Sequence, residues 1–256
     1  MTTDLVLVER SGPVATVRLN RPQKLNAVTQ QMSDELVRIV RDLNDDPEIR
    51  AVVYTGTGRA FSAGSDISTL DLYPTPWSFR NRRDYCDALR ELRKPVVAAV
   101  NGFAFGGGLE ASLTCDIRVA ADTATFAAPE VRLGWVGGGG MSALLANSIG
   151  ASNAALMLMT GDPIDAQRAL AWGLVSEVVP ADEVVARAQA IAEAIAQRPP
   201  IAAESAKANL RAAWNLPQDQ AMAYEREMQS IAFATDDAAE GRAAFAEKRD
   251  GVFLGR

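Results

Sequence analysis

Residues 95–110 read Pro-Val-Val-Ala-Ala-Val-Asn-Gly-Phe-Ala-Phe-Gly-Gly-Gly-Leu-Glu, and the rest of the chain is organised around this stretch. Val96 to Val100 are small or β-branched apolar residues, as is typical of a strand buried on both faces. Asn101-Gly102 breaks that pattern, three glycines follow at Gly106–Gly108, and the residues from Leu109 onward can form a helix. The sequence therefore predicts a buried strand, a glycine turn and a helix start in immediate succession.

The start of that predicted helix is a place where main-chain N–H groups can hold negative charge. The first N–H groups of a helix have no partner within it, and the helix dipole adds positive potential there. Such groups bind a phosphate, a carboxylate or a carbonyl oxygen that gains charge during a reaction. Glu110 follows Gly107 by three positions, so its carboxylate lies about one helical turn from that N–H. An oxyanion donor and an acid/base group on one element is one interpretation; an ordinary tight turn with Glu110 on a solvated face explains the residues equally well.

The composition excludes several classes of catalytic site. The 256 residues include no histidine, which removes Ser-His-Asp and Cys-His nucleophiles, imidazole zinc sites and histidine bases. The two cysteines, Cys86 and Cys115, show neither metal-ligand spacing nor a disulfide framework, so no metal site is expected. Any chemistry must rest on carboxylates, main-chain N–H groups, hydroxyls, thiols or Lys and Arg side chains.

Length and charge limit the possible partners and location. A chain of 256 residues forms one large domain, or a core domain with a smaller appendage. Its net charge of −6 argues against a general nucleic-acid partner, which needs a basic face. The segment Met1–Asp4 has no basic region followed by apolar residues, and no apolar run is long enough to cross a bilayer. We therefore expect a cytoplasmic protein that binds neither nucleic acid nor membrane.

Strand and helix patterns alternate up to about residue 178. Leu5–Glu9 and Val14–Leu19 flank a Ser-Gly-Pro turn and predict a β-hairpin, and Thr29 is a candidate N-cap for a helix to about Leu43. Further strands are expected at Ala51–Thr55, Ile117–Ala120, Thr125–Ala127 and Leu174–Val178, with helices at about 78–92, 141–148 and 165–171. This alternation predicts an α/β fold, a mostly parallel sheet of ββα units, with the site in residues 1–180. Residues 181–256 are predicted to form a helical region that either covers the site or forms a subunit interface.

Two further stretches carry possible site residues. The small residues of Ala60–Ile67 form a loop that can bring main chain close to a ligand, although an ordinary connector is the simpler interpretation. Glu130 follows Pro129 among apolar residues, and burial there would raise the pKa of its carboxyl group. If Glu130 lies near Glu110, the two share protons as a pair and can add or remove water across a polarised double bond. The residues alone favour a structural carboxylate at a strand end.

The order of these segments resembles the crotonase (enoyl-CoA hydratase/isomerase) superfamily. The resemblance rests first on Phe61–Ile67, which reads Phe-Ser-Ala-Gly-Ser-Asp-Ile, and on Lys94–Glu110. It continues through further segments along nearly the whole chain, namely Cys115-Asp116, Phe126–Glu130, Leu158–Gly161, Trp172–Val175, Phe233–Asp237 and Glu247–Arg249. The resemblance implies a crotonase-like fold of repeated ββα units followed by a C-terminal helical region.

The resemblance also implies an activity. The matching main-chain N–H groups of Ser65 and Gly107 would form an oxyanion hole for the carbonyl oxygen of an acyl-CoA thioester. Glu110 and Glu130 match the two glutamates of hydratases, so the expected reaction is syn addition of water to a trans-2-enoyl-CoA, giving a 3-hydroxyacyl-CoA in fatty acid metabolism. No cofactor is implied, because coenzyme A enters as part of the substrate. The implied assembly is a homotrimer or a dimer of trimers.

Contacts with substrate or CoA are implied by position for a larger set, namely Lys24, Asn26, Ala27, Ala63, Asp66, Ile67, Ser68, Trp135, Gly138, Phe245 and Lys248. Phe245 and Lys248 often reach the nucleotide from a neighbouring subunit in the family, whereas a lone lysine in a C-terminal helix is commonly just solvated. Trp135 either reshapes the acyl pocket or packs in the core.

The chain also departs from the hydratase pattern. Gly137–Gly140 replaces a run that contains a proline, which can loosen the loop beside the water site, and Ser65 and Ser68 replace the usual alanine and lysine. These departures leave open carnitinyl-CoA-type dehydration and enoyl-CoA isomerisation. A non-catalytic acyl-CoA-binding or RNA-binding relative is a further alternative, although four lysines do not make the lysine-rich surface of the RNA-binding relatives.

Overall fold

Two sheets form the framework of the fold. The structure, a computed structural model, describes residues 4–256 apart from the side chain of Asp71, so residues 1–3 of the predicted core domain lie outside it. Ten strands are found in that range: β1 (Val6–Ser11), β2 (Val14–Leu19), β3 (Ala51–Gly56), β4 (Ala60–Ser62), β5 (Val96–Val100), β6 (Phe103–Phe105), β7 (Ile117–Ala121), β8 (Thr125–Ala127), β9 (Ile164–Asp165) and β10 (Glu177–Val179). The larger sheet has the order β1-β2-β3-β5-β7-β10, and the smaller one has the order β4-β6-β8-β9.

The larger sheet is parallel except for its first hairpin. β1 and β2 pair in antiparallel fashion, as predicted, and the following pairs along the sheet are all parallel. Every residue of β3 and β5 is buried, because central strands of a parallel sheet are covered on both faces. The predicted strand Val96–Val100 is therefore confirmed with its bounds unchanged.

Each ββα unit sends its first strand to the larger sheet and its second strand to the smaller one. β3, β5 and β7 lie in the larger sheet, and β4, β6 and β8, which follow them directly, lie in the smaller one. Gly102 forms the corner between β5 and β6, where a Cβ atom would lie 2.1 Å from the carbonyl oxygen of Arg59. The predicted α/β fold of ββα units is confirmed, but β6 was missed because its residues were assigned to the turn.

The helices are α1 (Gln30–Asp45), α2 (Pro76–Arg80), α3 (Tyr85–Glu91), α4 (Gly107–Thr114), α5 (Met141–Ile149), α6 (Ala151–Thr160), α7 (Ala166–Ala171), α8 (Val184–Ala196), α9 (Pro200–Asn215), α10 (Gln218–Phe233) and α11 (Asp236–Glu247). Thr29 caps α1 by accepting a hydrogen bond from the Met32 N–H, as predicted. The single helix expected at 78–92 is wrong, because residues 81–84 separate α2 from α3. The last predicted strand is also displaced, since Leu174 and Val175 are buried but precede β10.

The C-terminal helices attach to the core in two ways. α8 places Ala188 and Ala192 in the same hydrophobic core as β3 and β5. In α9, the buried Lys207 ammonium donates to the Lys94 carbonyl at 2.8 Å and pairs with Asp116 at 2.8 Å. The division at residue 180 stays a prediction, with α8 as a helix beyond it that shares the core. No described helix is both long and apolar enough to cross a membrane.

Candidate active site

Two loops bring the predicted oxyanion donors together. Ser65 forms a parallel bridge with Val28: the Val28 N–H donates to Gly64 O at 2.8 Å, and the Asp66 N–H donates to Val28 O at 2.9 Å. In this pattern the Ser65 N–H points away from Val28. A Cβ atom on Gly107 would lie 3.4 Å from Ser65 N, and one on Gly64 would lie 2.7 Å from Gly107 N. Gly64 also has a φ of +90°, which side chains disfavour, so glycine permits both the turn and this close approach.

Each glycine of Gly106–Gly108 makes room for a different part of the site. A Cβ atom on Gly106 would lie 3.0 Å from Glu130 Oε1, and one on Gly108 would lie 2.1 Å from the Ser62 carbonyl oxygen. At Gly107 the space is taken by the Tyr85 hydroxyl, 2.0 Å from where the Cβ would be. Packing thus requires glycine at Gly107 and Gly108, and the φ of +54° favours it at Gly106. α4 begins at Gly107 with its amide beside the Ser65 loop.

Glu110 is buried and held by main-chain amides. Its Oε1 atom accepts hydrogen bonds from the Gly139 N–H at 2.7 Å and the Met141 N–H at 3.2 Å. Burial raises the pKa of the Glu110 carboxyl to about 7; the Gly139 N–H opposes this rise, and the charge of Glu130 adds to it. A carboxyl group with a pKa near neutrality can either accept or donate a proton at physiological pH.

Glu130 lies on a 3₁₀ turn, Pro129–Leu133, and faces the same cavity as Glu110. Its Oε2 atom is buried and has no hydrogen-bond partner among the described residues. Burial raises the pKa of this carboxyl as well. The structure therefore brings two carboxyl groups with raised pKa values to one cavity of about 210 Å³, which Ser65 and Gly107 also line.

The Gly137–Gly140 loop is closely packed on Glu110. A Cβ atom on Gly137 would lie 2.8 Å from Glu110 Oε1 and 2.6 Å from Met141 Cβ. One on Gly139 would lie 2.8 Å from Glu110 Oε2 and 3.0 Å from Cys86 Cβ. Side chains are thus excluded at both positions, and the glycines let the loop amides reach the carboxylate.

The other predicted contact residues divide into two groups. Ala63, Ile67, Trp135 and Gly138 line the cavity, and Trp135 is 41% exposed, so it lines the pocket and does not pack in the core. Those outside the cavity wall are Lys24, Asn26, Ala27, Asp66, Ser68, Phe245 and Lys248. Their roles in binding CoA stay predictions.

The loop of Lys24–Ala27 lies directly beside the Ser65 loop. The Ser62 hydroxyl donates to the carbonyl of Asn26 at 2.9 Å, and the Asn26 side chain is buried, donating to Thr57 O at 2.9 Å and Ala60 O at 2.7 Å. Asp66 pairs with Arg21 at 2.6 Å and accepts a hydrogen bond from the Ser68 hydroxyl at 2.6 Å. The side chains of Asn26 and Asp66 therefore stabilise the loop that carries Ser65. Phe245, by contrast, is 88% exposed near the end of α11.

Tyr85 and Arg82 are site residues that the sequence interpretation missed. The Tyr85 hydroxyl is buried at Gly107, and Arg82 lines the cavity of the two glutamates. Both lie at the break between α2 and α3, which the prediction placed inside one helix. The usable signal was Asp84, a residue type that favours helix N-caps and that accepts from the Cys86 N–H at 2.8 Å.

Comparison with known proteins identifies a family and several relatives that this chain resembles. A family model described as enoyl-CoA hydratase/isomerase matches residues 9–256. A probable enoyl-CoA hydratase of Mycobacterium tuberculosis is 40% identical over 100% of both chains. The 2,3-dehydroadipyl-CoA hydratase of Escherichia coli is 36% identical over 98% of this chain and 99% of its own length. The crystal structure of an enoyl-CoA hydratase subunit from Geobacillus kaustophilus, 36% identical, superimposes with a TM-score of 0.93 over 98% of each chain.

Proposed function

Because the chain belongs to the enoyl-CoA hydratase/isomerase family, we propose that it adds water to trans-2-enoyl-CoA thioesters and releases 3-hydroxyacyl-CoA. The observation that carries this proposal is the cavity in which the carboxyl groups of Glu110 and Glu130 face the main chain of Ser65 and Gly107. Hydration needs a base, an acid and a site for negative charge, and this cavity supplies all three without histidine.

The Ser65 and Gly107 N–H groups would hold the thioester oxygen. When water attacks C3, the electrons of the double bond move towards the carbonyl, and an enolate oxygen forms. Fixed main-chain donors stabilise that charge without reorganising, and removing one such donor typically costs about 10²–10³ in rate. The start of α4 adds the positive end of its dipole at the same place.

Glu110 and Glu130 would move the protons. One carboxylate accepts a proton from the attacking water, whose oxygen bonds to C3, and a carboxylic acid of the pair delivers a proton to C2. The raised pKa values of both groups support a pair that holds one proton at neutral pH. The family resemblance implies syn addition, with hydroxyl and hydrogen on the same face of the substrate, and two carboxyl groups in one cavity are compatible with it.

Several finer points belong to this proposal. Coenzyme A enters as part of the substrate, and we propose no further cofactor. Within residues 4–256, no three His, Cys, Asp or Glu side chains cluster as a metal site requires. Contacts of CoA with the Lys24–Ala27 and Ser65–Ser68 loops, assembly as a trimer or a dimer of trimers, and a cytoplasmic location complete the proposal. The relatives act on different acyl chains: the name of the Escherichia coli enzyme specifies a chain with a second carboxylate.

The test is hydration of crotonyl-CoA by the purified protein. We expect the absorbance of the conjugated thioester to fall and 3-hydroxybutyryl-CoA to appear, with one deuterium at C2 when the solvent is heavy water. Glu110→Gln and Glu130→Gln are each expected to lower kcat by about 10²–10⁴, and the exposed Glu183→Gln serves as the control with unchanged turnover. A substrate that shifts its double bond without gaining water would indicate isomerisation. Full turnover in both glutamine variants would refute the two-carboxylate mechanism.

A further inference from the structure

Arg82 lines the same cavity as Glu110 and Glu130, and it is the only cationic side chain among the described residues that do so. The wall around it is otherwise mainly apolar and includes Leu70 and Phe79. The proposed mechanism uses the two carboxyl groups and the main chain and gives this guanidinium no role. A charged group in an acyl pocket is unexpected if the substrate is a plain hydrocarbon chain, because such a chain offers the group no partner.

Three contacts hold the Arg82 guanidinium in place. Its Nη2 atom pairs with Asp84 Oδ2 at 2.9 Å, and its Nη1 atom donates to the Phe79 carbonyl oxygen at 2.9 Å. Its Cζ atom lies 4.2 Å from the centre of the Phe79 ring, whose edge-to-face partner at 5.4 Å is Tyr73. The Arg82 side chain is only 20% exposed. The guanidinium is therefore fixed before any ligand arrives, which lowers the entropy cost of binding one.

Arg82 retains unused hydrogen-bonding capacity. A guanidinium carries five N–H donors, and those of Arg82 reach two acceptors within the described part of the chain. Asp84 balances part of its charge, but the same carboxylate also accepts from the Cys86 N–H at the start of α3. Three of the five N–H donors therefore remain, and a guanidinium donates strong, charge-assisted hydrogen bonds to a carboxylate.

We infer that Arg82 selects acyl chains that end in a carboxylate, so the favoured substrate class is the mono-CoA thioester of an unsaturated dicarboxylic acid. This inference rests on the proposed hydratase function and specifies its substrate. The cavity volume is compatible with it: a cavity of about 150 Å³ holds benzene, so about 210 Å³ holds a chain of roughly six to eight carbons.

A purely structural role for Arg82 gives a different expectation. Its contacts with Asp84 and Phe79 fix the break between α2 and α3, and losing them would disturb the pocket for every substrate alike. Loss of carboxylate recognition, by contrast, lowers kcat/KM for a carboxylate-ended substrate more than for a methyl-ended substrate of equal length. The ratio of kcat/KM for trans-2-hexenedioyl-CoA to that for trans-2-hexenoyl-CoA therefore separates the two roles, since these thioesters differ only in a terminal carboxylate or methyl group.

The experiment measures this ratio for the wild type, Arg82→Gln, Arg82→Lys and the neighbouring Arg83→Gln, whose exposed side chain lies outside the cavity wall. We expect the wild type to favour the dicarboxylic substrate and Arg82→Gln to lower the ratio about 10- to 100-fold, the range of a charge-assisted hydrogen-bond pair. Arg82→Lys is expected to lie between them, and Arg83→Gln to match the wild type.

A wild-type preference for the methyl-ended chain, or an equal loss on both substrates in Arg82→Gln, would overturn the inference. If Arg82→Gln does not fold, the wild-type preference and Arg82→Lys decide the question. Failure of the hydratase proposal is recognised separately, because the protein would then hydrate neither hexenoyl-CoA nor crotonyl-CoA.

Discussion

Replacing Glu110 by glutamine tests the electrostatics of the site through stability, without any substrate. The folded-state pKa of Glu110 is raised from its ordinary 4.5 to about 7, mainly by burial. Because the folded state binds this proton more tightly than the unfolded chain does, protonation of Glu110 stabilises the folded protein. This stabilisation is fully present below pH 4.5. It is lost as the pH rises towards 7 and stays lost above that value. At about 1.4 kcal/mol for each unit of pKa shift, the ionised carboxylate costs about 3 to 4 kcal/mol at pH 8.5.

Glu110→Gln removes this cost and keeps the shape of the group. The amide oxygen can still accept from the Gly139 and Met141 N–H groups, which both bond to one carboxylate oxygen. The same linkage predicts a cost of about 1.4 kcal/mol at pH 5.5, so the gap in unfolding free energy between Glu110→Gln and wild type should widen by about 2 kcal/mol from pH 5.5 to pH 8.5.

Urea unfolding at a fixed protein concentration measures this gap. The matched control is Glu177→Gln. Glu177 pairs with Arg187 at 2.6 Å, and this pairing lowers the pKa of the Glu177 carboxyl. The difference in unfolding free energy between Glu177→Gln and wild type should therefore change only slightly with pH, and in the opposite direction. If the difference in unfolding free energy for Glu110→Gln is constant, or narrows with rising pH, the pKa of Glu110 is not raised in the folded protein. That result would also remove the reason for regarding it as part of a proton-sharing pair.

Two further predictions concern turnover. The kcat/KM for crotonyl-CoA should fall on the alkaline side with an apparent pKa of about 7, since the pair loses its shared proton there, and a flat profile up to pH 9 would contradict this. Gly107→Ala puts a methyl group 2.0 Å from the Tyr85 hydroxyl and should lower kcat by about 10²–10³ by displacing the Gly107 N–H. Tyr85→Phe in that background removes the clashing oxygen and leaves ring carbon Cζ at 3.2 Å, so partial recovery of kcat is expected; no recovery would show that another contact displaces the amide.

The fold was predictable wherever a pattern was long enough to repeat. β3 and β5 are continuous buried runs, and α1 combines helical spacing with a capping threonine. β6 has only three residues, and its partners β4 and β8 come from distant parts of the sequence, so its pairing leaves no local periodicity. The break between α2 and α3 was missed because residues 81–84 contain neither glycine nor proline to end a helix. The contact that marks the new helix start, from the Cys86 N–H to Asp84, is visible only in the structure.

The candidate site was predictable in its components but not in its assembly. Glu110 and Gly107 share one helix, so their proximity follows from the sequence, whereas Glu130 and Ser65 were assigned through a resemblance. Their meeting depends on close approaches at Gly64 and Gly106, which only three-dimensional packing specifies. Periodicity cannot reveal Tyr85 either, because what matters is the space that its hydroxyl occupies at Gly107.

The proposed oxyanion donors belong to the main chain, and this has a consequence for how the protein can change. Substitution replaces side chains, so exchanging Glu110 or Glu130 leaves both N–H groups chemically intact, while Gly64 and Gly106–Gly108 tolerate almost nothing for lack of space. Substitution at the glutamates would therefore remove acid/base groups, while the proposed site that stabilises an enolate oxygen is kept. A library randomised at the two glutamates, with those glycines kept, should therefore yield variants that lose hydration but still bind acyl-CoA thioesters. The proposed carbonyl-binding site would in this sense persist when the acid/base side chains change.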